Sequence, residues 1–179
     1  FVNSIEESNQ EELKPLIESG KKSFKGRELT GGTLGVVGMG AIGSKVADMG
    51  VMLGMNVIGY DPAITVEAAW KLPNKVERKE SIEDVFKESD YISLHVPAND
   101  KTKGLINSGL LKNAKKGLRL INFARDEIVV SKDIIESLDK NILSKYITDF
   151  ADLELISRAK IANDVIILPH IGASTSQAE

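Results

Sequence analysis

The stretch Thr33-Leu34-Gly35-Val36-Val37-Gly38-Met39-Gly40-Ala41-Ile42-Gly43 decides the fold. Leu34 to Val37 lead into Gly38-x-Gly40-x-x-Gly43, and an apolar-periodic segment follows through Val46, Ala47, Val51 and Leu53. The pattern predicts a buried strand, a tight glycine turn and the first turn of a helix. Gly38 lets the turn be tight, Gly40 removes a side chain that would block a pyrophosphate, and Gly43 lets helix and strand pack closely. The helix N-terminus then offers N–H donors and a partial positive charge to phosphates. Val57-Ile58-Gly59-Tyr60 reads as a second strand ending in Asp61, at about the spacing a dinucleotide site requires. A carboxylate there accepts from an adenosine ribose and repels a 2′-phosphate, so the expected cofactor is NAD.

Composition sets the class. The chain has 179 residues, 42% of them hydrophobic and 27% charged, with a net charge of −3. That fits one globular domain, or one domain plus a short extension. Mild acidity and scattered lysines argue against a nucleic-acid surface, which would show a basic stripe. With no cysteine and two histidines, disulfides and thiolate chemistry are excluded and no metal site is expected. No apolar run approaches the roughly 18 residues of a membrane span and no signal-peptide pattern is seen, so a cytoplasmic protein is expected. The chain opens at Phe1 and is read as a fragment of a longer one.

Working outward, residues 4–20 predict a short helix that Pro15 interrupts and Gly20 closes. Phe24 to Gly32 is a glycine-containing lead-in loop. Asp61-Pro62 ends the second strand, since proline has no N–H for the ladder. Thr65 to Leu72 reads as a short helix on which Trp70 is a packing residue. Val76 marks a third strand, and Ser81-Ile82-Glu83-Asp84 resembles a capping box. Tyr91 to Val96 is a fourth strand, stopped by Pro97. A helix over 107–113, a strand over 118–123 and a helix over 131–138 follow. The last strands are 146–149 and 165–168, the latter ended by Pro169. Apolar strands alternating with helices predict a doubly wound parallel α/β sheet of the Rossmann kind, with helices on both faces.

In such sheets ligands lie beyond the carboxyl ends of the strands, near the point where strand order reverses. The residues just after each strand are Gly38, Asp61, Val96-Pro97, Ala124-Arg125, Asp149 and His170. Arg125 suits a bidentate pair with a substrate carboxylate. His170 titrates near neutrality and suits proton exchange with a carbonyl or alcohol oxygen. Taken singly, each has a plainer reading, a surface ion-pair residue or a structural histidine, but both fall on the face that would hold a nicotinamide. His95 is read as structural or loop-shaping. Asp149 has two readings, an acceptor for the nicotinamide carboxamide or a cap for its local turn.

With these residues in place, the chain resembles the cofactor domain of the D-2-hydroxyacid dehydrogenases. The matching pieces are TLGVVGMGAIG (33–43), GYDP (59–62) with AAWKL (68–72), LHVPANDKTKGLIN (94–107), INFARDEIVV (121–130), YITDF (146–150) and LPHIGAST (168–175). FARDE and YITDF favour the phosphoglycerate branch. The resemblance implies a hydride transfer between NAD and a small 2-hydroxy or 2-keto acid, with Arg125 binding substrate and His170 as acid/base. It implies a cofactor set of Gly38, Gly40, Ala41, Ile42, Gly43, Asp61, Pro62, Val96, Pro97, Thr102, Phe123, Ala124, Arg125, Asp149, His170 and Gly172. The family's third catalytic residue is a glutamate that holds the histidine. Glu154 matches its spacing but lacks the usual following proline, and Asp152 is the fallback. The resemblance further implies a connecting helix and lead-in over 1–23, an NAD-binding domain over 24–179, a substrate domain outside this chain and a homo-oligomeric full-length protein. A glyoxylate or hydroxypyruvate reductase is the near alternative, and an NAD-responsive corepressor-like binding protein the distant one.

Overall fold

Seven short segments without proline pair into one sheet, the central ones largely buried and the edge strand Val76–Arg78 exposed at Glu77 and Arg78. The computed structural model describes residues 10–21, 25–172 and 174. The strands are β1 (Thr33–Val37), β2 (Asn56–Tyr60), β3 (Val76–Arg78), β4 (Tyr91–Leu94), β5 (Leu118–Asn122), β6 (Leu143–Thr148) and β7 (Val165–Ile167). All pairs are parallel, in the order β3-β2-β1-β4-β5-β6-β7. Strand order therefore reverses between β1 and β4, and the carboxyl ends of those two strands flank the crevice where such folds bind ligands. The fold is the doubly wound α/β one that the alternating pattern predicts.

The helices are α1 (Gln10–Gly20), α2 (Gly43–Met52), α3 (Val66–Trp70), α4 (Ile82–Glu88), α5 (Ser108–Leu111), α6 (Ser131–Asp139) and α7 (Leu153–Ile161). Under α2 lies a cluster of Leu34, Val36, Met39, Ala47, Met55 and Val57. On the opposite face a larger cluster joins α4, α5 and α6 to the sheet through Phe86, Leu111, Leu120, Ile134 and Tyr146. Alternation along the strands produces the two clusters, as Val36 faces one and Val37 the other. Full burial of Phe86 or Leu120 contributes about 2–3 kcal/mol each.

Local capping sets several helix starts. Ser81 Oγ accepts from the Asp84 N–H at 3.1 Å, and Thr65 Oγ1 from Ala68 N–H at 3.1 Å. Asn107 Oδ1 accepts from the Leu110 N–H, so the predicted 107–113 helix shortens to one turn, α5, with Asn107 as its cap.

The structure departs from the sequence reading in five further places. Helix α1 runs through Pro15 instead of breaking there, while the start of that predicted helix, like everything else expected of residues 1–9, lies outside the described residues. Trp70 is 85% exposed and so is not a packing residue on this chain. Strand β4 ends at Leu94, and His95 and Val96 belong to the loop. Strand β6 begins three residues before Tyr146. Helix α7, which the sequence reading lacks, is capped by Asp152. No helix among the described residues is long and apolar enough to cross a membrane.

Candidate functional site

The glycine turn between β1 and α2 is made of three glycines with three different demands. Gly38 has φ +91°, and a Cβ there would meet the His95 carbonyl oxygen at 2.6 Å. A Cβ on Gly43 would sit 1.9 Å from the Gly38 carbonyl oxygen, so α2 starts hard against the turn. Gly40 is the opposite case, since a Cβ there would meet nothing within 4 Å. The space beside Gly40 is open to a ligand, and no side chain caps the α2 N-terminus behind it. An open glycine in front of an uncapped helix start is the arrangement a pyrophosphate fits.

Asp61, just after β2, is held by two backbone amides. Its Oδ2 accepts from Met39 N–H at 2.8 Å and its Oδ1 from Ala63 N–H at 2.8 Å. The first bond ties the carboxylate to the glycine turn itself. Each oxygen keeps acceptor capacity for a ribose hydroxyl.

Between the glycine turn and the ends of β4 and β5 lies a cleft of about 610 Å³. Gly40, Ala41, Ile42, Val96, Pro97, Phe123, Ala124 and Arg125, all expected from the sequence, line it. Gly38, Gly43 and Asp61 frame it from the turn without lining it. Pro62 follows Asp61 on the same edge. Thr102 sits behind Pro97, where its Oγ1 donates to the Pro97 carbonyl at 2.5 Å and accepts from Asn99 N–H at 2.9 Å, closing that loop. Gly172 lies in an exposed turn after β7, outside the cleft lining.

The cleft also contains Ser93 and His95, which the sequence reading leaves out of the site. They are two residues apart at the end of β4 and share a face, the spacing that could have found them. Ser93 Oγ and His95 Nε2 are 2.8 Å apart. Burial pushes the His95 imidazole below its ordinary range, so it is held neutral under the turn. A third unforeseen residue is Asn122, fully buried at the end of β5. Its Nδ2 donates to the Arg125 carbonyl at 2.8 Å and its Oδ1 accepts from Ala124 N–H at 3.1 Å. Asn122 thus shapes the turn that presents the exposed Arg125, whose Nη1 donates to the Ala124 carbonyl at 2.6 Å.

At the far end of the same edge, His170 meets a carboxylate. His170 Nδ1 lies 3.1 Å from Asp149 Oδ2, with the imidazole side chain 60% exposed and the Asp149 side chain 10% exposed. The Phe150 ring lies 5.1 Å from the imidazole, tilted by 54°. Asp149 Oδ1 is buried with no hydrogen-bond partner among the described residues. Of the carboxylates considered for His170 from the sequence, Asp152 is engaged elsewhere, its Oδ1 accepting from Leu155 N–H at 2.8 Å as the cap of α7. Glu154 is exposed in the first turn of α7, and the carboxylate set against the imidazole is Asp149.

This geometry has a counterpart among known proteins. The description "D-isomer specific 2-hydroxyacid dehydrogenase, NAD binding domain" matches residues 2–172. The chain belongs to the D-2-hydroxyacid dehydrogenase family. It is 36% identical over 164 residues to D-3-phosphoglycerate dehydrogenase of Bacillus subtilis, covering 90% of this chain and 31% of that protein. It is 37% identical to hydroxypyruvate reductase of Thermotoga maritima, covering 89% of this chain and 52% of that one. Among solved structures, D-lactate dehydrogenase from Aquifex aeolicus complexed with NAD and lactic acid superposes with a TM-score of 0.75 at 30% identity, over 91% of this chain and 56% of that one. The chain thus spans a third to a half of the length of these relatives. It is the NAD-binding domain of a D-2-hydroxyacid dehydrogenase-family protein, and NAD is its cofactor. The open Gly40, the uncapped α2 start and the orphaned Asp149 oxygen fit that group.

Proposed function

We propose that this chain is the cofactor-binding part of an enzyme that moves a hydride between NAD and C2 of 3-phosphoglycerate. Its connecting helix and lead-in would fall in residues 1–23, its cofactor domain in 24–179, and its substrate domain outside them. The observation that carries the reading is that two groups stand at the carboxyl ends of neighbouring strands. An exposed guanidinium follows β5, and a histidine–carboxylate pair joins the ends of β6 and β7. Arg125 binds the substrate carboxylate through its planar fork and stabilises charge developing on the C2 oxygen. His170 takes the hydroxyl proton on oxidation and returns it on reduction. Bound NAD supplies the hydride acceptor. The glycine turn, Asp61 and the strand-end residues of the cleft hold it, with Asp149 Oδ1 left to accept from the nicotinamide carboxamide. FARDE, YITDF and the likeness to D-3-phosphoglycerate dehydrogenases support phosphoglycerate as substrate. The likeness to hydroxypyruvate reductase supports a second reading, reduction of glyoxylate or hydroxypyruvate.

Steady-state NADH oxidation by the full-length protein with phosphohydroxypyruvate, hydroxypyruvate and glyoxylate tests both. The highest kcat/KM is expected for phosphohydroxypyruvate. Arg125→Lys keeps the charge but loses the fork, so KM rises and kcat falls. His170→Ala lowers kcat by about 10² to 10⁴ while NADH still binds. NADH binding without turnover of any keto acid would favour an NAD-responsive corepressor-like protein instead. The full-length enzyme is proposed to be a cytoplasmic homo-oligomer, which its mass in solution checks.

A further inference from the structure

We propose that Arg78 is a second cofactor-specificity residue, standing across a pocket from Asp61 and offering its guanidinium to a phosphate on the adenosine ribose. The preference that Asp61 sets for NAD over NADP is then graded and not absolute. This rests on Asp61 meeting the ribose, as proposed above, and not on which keto acid is reduced.

The pocket lies beside the glycine turn, apart from the cleft that Arg125 lines. It measures about 270 Å³ and runs from Asp61 and Met39, past Gly59, to Val76 and Arg78 on β3. Asp61 lines this pocket and not the cleft, so a ribose bonded to its carboxylate stands at the pocket's mouth. Strand register fixes the opposite wall. Gly59 and Arg78 are partners in the parallel β2–β3 pair, so their side-chain directions share one face of the sheet. A Cβ on Gly59 would meet Met39 Sδ at 3.0 Å, and its absence is what lets Met39 lie over the strand. No β2 side chain on that face therefore stands between Arg78 and Asp61, two residues beyond Gly59.

Arg78 is the one cation among the lining residues, and it is loosely held. Its Nη2 lies 3.4 Å from Glu80 Oε2, with the two side chains 77% and 82% exposed. An exposed pair of that kind holds a side chain weakly, so the guanidinium is free to turn to a better acceptor. A phosphate is that acceptor, because it takes a guanidinium through two parallel charge-assisted bonds. Asp61 has no such freedom. Its oxygens accept from Met39 N–H and Ala63 N–H, which fixes a negative charge at the mouth. The two residues thus act in opposite senses on one substituent. The carboxylate takes a ribose hydroxyl and repels a phosphate, while the guanidinium attracts the phosphate and gains little from the hydroxyl.

Calorimetric titration of the protein with NADH and with NADPH reads this without any turnover. Arg78→Ala should weaken NADPH by about five- to tenfold more than it weakens NADH. Arg78→Gln keeps most of the stem and should show the same selective loss, whereas Arg78→Lys keeps the charge and should recover part of it. Raising the salt should shrink the difference between Arg78 and Ala. Asp61→Ser removes the repulsion and should bring NADPH binding within range however weak it is in the unaltered protein. Arg78→Ala added to Asp61→Ser should then cost NADPH at least as much again. Equal weakening of both cofactors by Arg78→Ala, no selective loss of NADPH in either background, or NADPH left unbound by Asp61→Ser overturns the proposal. A selective loss in Arg78→Ala, with NADH unweakened by Asp61→Ser, would take Asp61 away from the ribose and leave Arg78 as the phosphate's partner. An enzyme inactive on every keto acid would sink the substrate reading and leave this one standing.

Discussion

Two groups of residues at the carboxyl ends of the strands are built from different materials. At the β1–α2 end the backbone makes the site. A positive-φ glycine, a glycine jammed against its neighbour and an uncapped helix start leave one open space beside Gly40. At the β6–β7 end side chains make it, with Asp149, Phe150 and His170 brought together from two strand ends. A backbone-made site tolerates almost no added atom at its closed positions. A side-chain-made site stands or falls on one partner. The difference also explains why the first end is written in a short motif and the second is not.

The largest expected effects lie among the glycines. In Gly43→Ala the new Cβ would fall 1.9 Å from a backbone oxygen that has no rotamer to yield, so α2 must shift. A destabilisation of about 3 kcal/mol is expected. In Gly40→Ala the Cβ meets nothing within 4 Å, so stability should stay within about 0.5 kcal/mol of the parent while NADH affinity falls. Urea unfolding together with calorimetric NADH titration separates the two. Equal destabilisation by both would break the division between closed and open glycines.

Much of the fold is legible because its signals are local. Gly38-x-Gly40-x-x-Gly43, the Ser81 cap and the proline strand stops each act within a few residues, and the structure places β1, β2 and α4 where those signals point. Helix α7 was not legible because Leu153, Leu155, Ile156 and Ile161 are spread around it and mark no single apolar face. Leu153 is 82% and Ile161 83% exposed, and Leu155 is its one buried residue. Its start signal, Asp152, also fell within a stretch already read for acid/base chemistry. The early start of β6 was hidden by Ser144 and Lys145, whose heads turn to the carbonyls of Gly117 and Asn163 instead of packing. In the site, Arg125 and His170 were legible from their place after strands. Asn122 and the Ser93–His95 pair were not read, although their hydrogen bonds are local, because a serine or an asparagine inside a strand carries no signal that its side chain is bonded.

Asp61 comes next in size and sharpens the same contrast, since it is a side chain serving the backbone-made end. Asp61→Ala leaves the Met39 and Ala63 amides without their acceptor, for a cost of about 2 kcal/mol. The unaltered chain should prefer NADH to NADPH, and the variant should bind NADH more weakly with a narrower gap. Equal affinity of the unaltered chain for both cofactors would remove Asp61 from ribose recognition.

His95 predicts a pH effect specific to the cleft floor. Burial holds its folded pKa below the usual 6.5, and no neighbouring charge contributes. As pH falls below that usual value, the unfolded chain binds a proton that the folded chain refuses. This contribution to stability is therefore complete above about pH 6.5 and declines toward the folded pKa. Urea midpoints measured from about pH 8 to about pH 5 should show this slope. His95→Gln, which keeps a hydrogen-bonding partner for Ser93, should flatten it. An unchanged slope would mean that another group titrates there.

The smallest effect tests whether α7 matters to the cofactor end at all. Arg158 ties this helix to its surroundings, with Nε 3.0 Å from Asp164 Oδ1, Nη2 2.6 Å from Asp164 Oδ2 and Nη1 2.7 Å from Asp139 Oδ1. The guanidinium holds the Asp164 carboxyl below its usual 3.8, with burial opposing. A carboxyl lowered in the folded state adds stability that is present above its unfolded pKa and lost as pH falls through the folded one. This acid loss therefore lies below pH 3.8, well under the His95 window, and the two can be told apart in one pH series. Arg158→Lys keeps one charge but not the two-pronged grip on Asp164, and because the pair is partly exposed the cost should be about 1 kcal/mol. NADH affinity should not change, since none of these contacts reaches the glycine turn or Asp61. If NADH binding weakens along with stability, then α7 supports the backbone-made end, and the two ends of the sheet's carboxyl side are not independent.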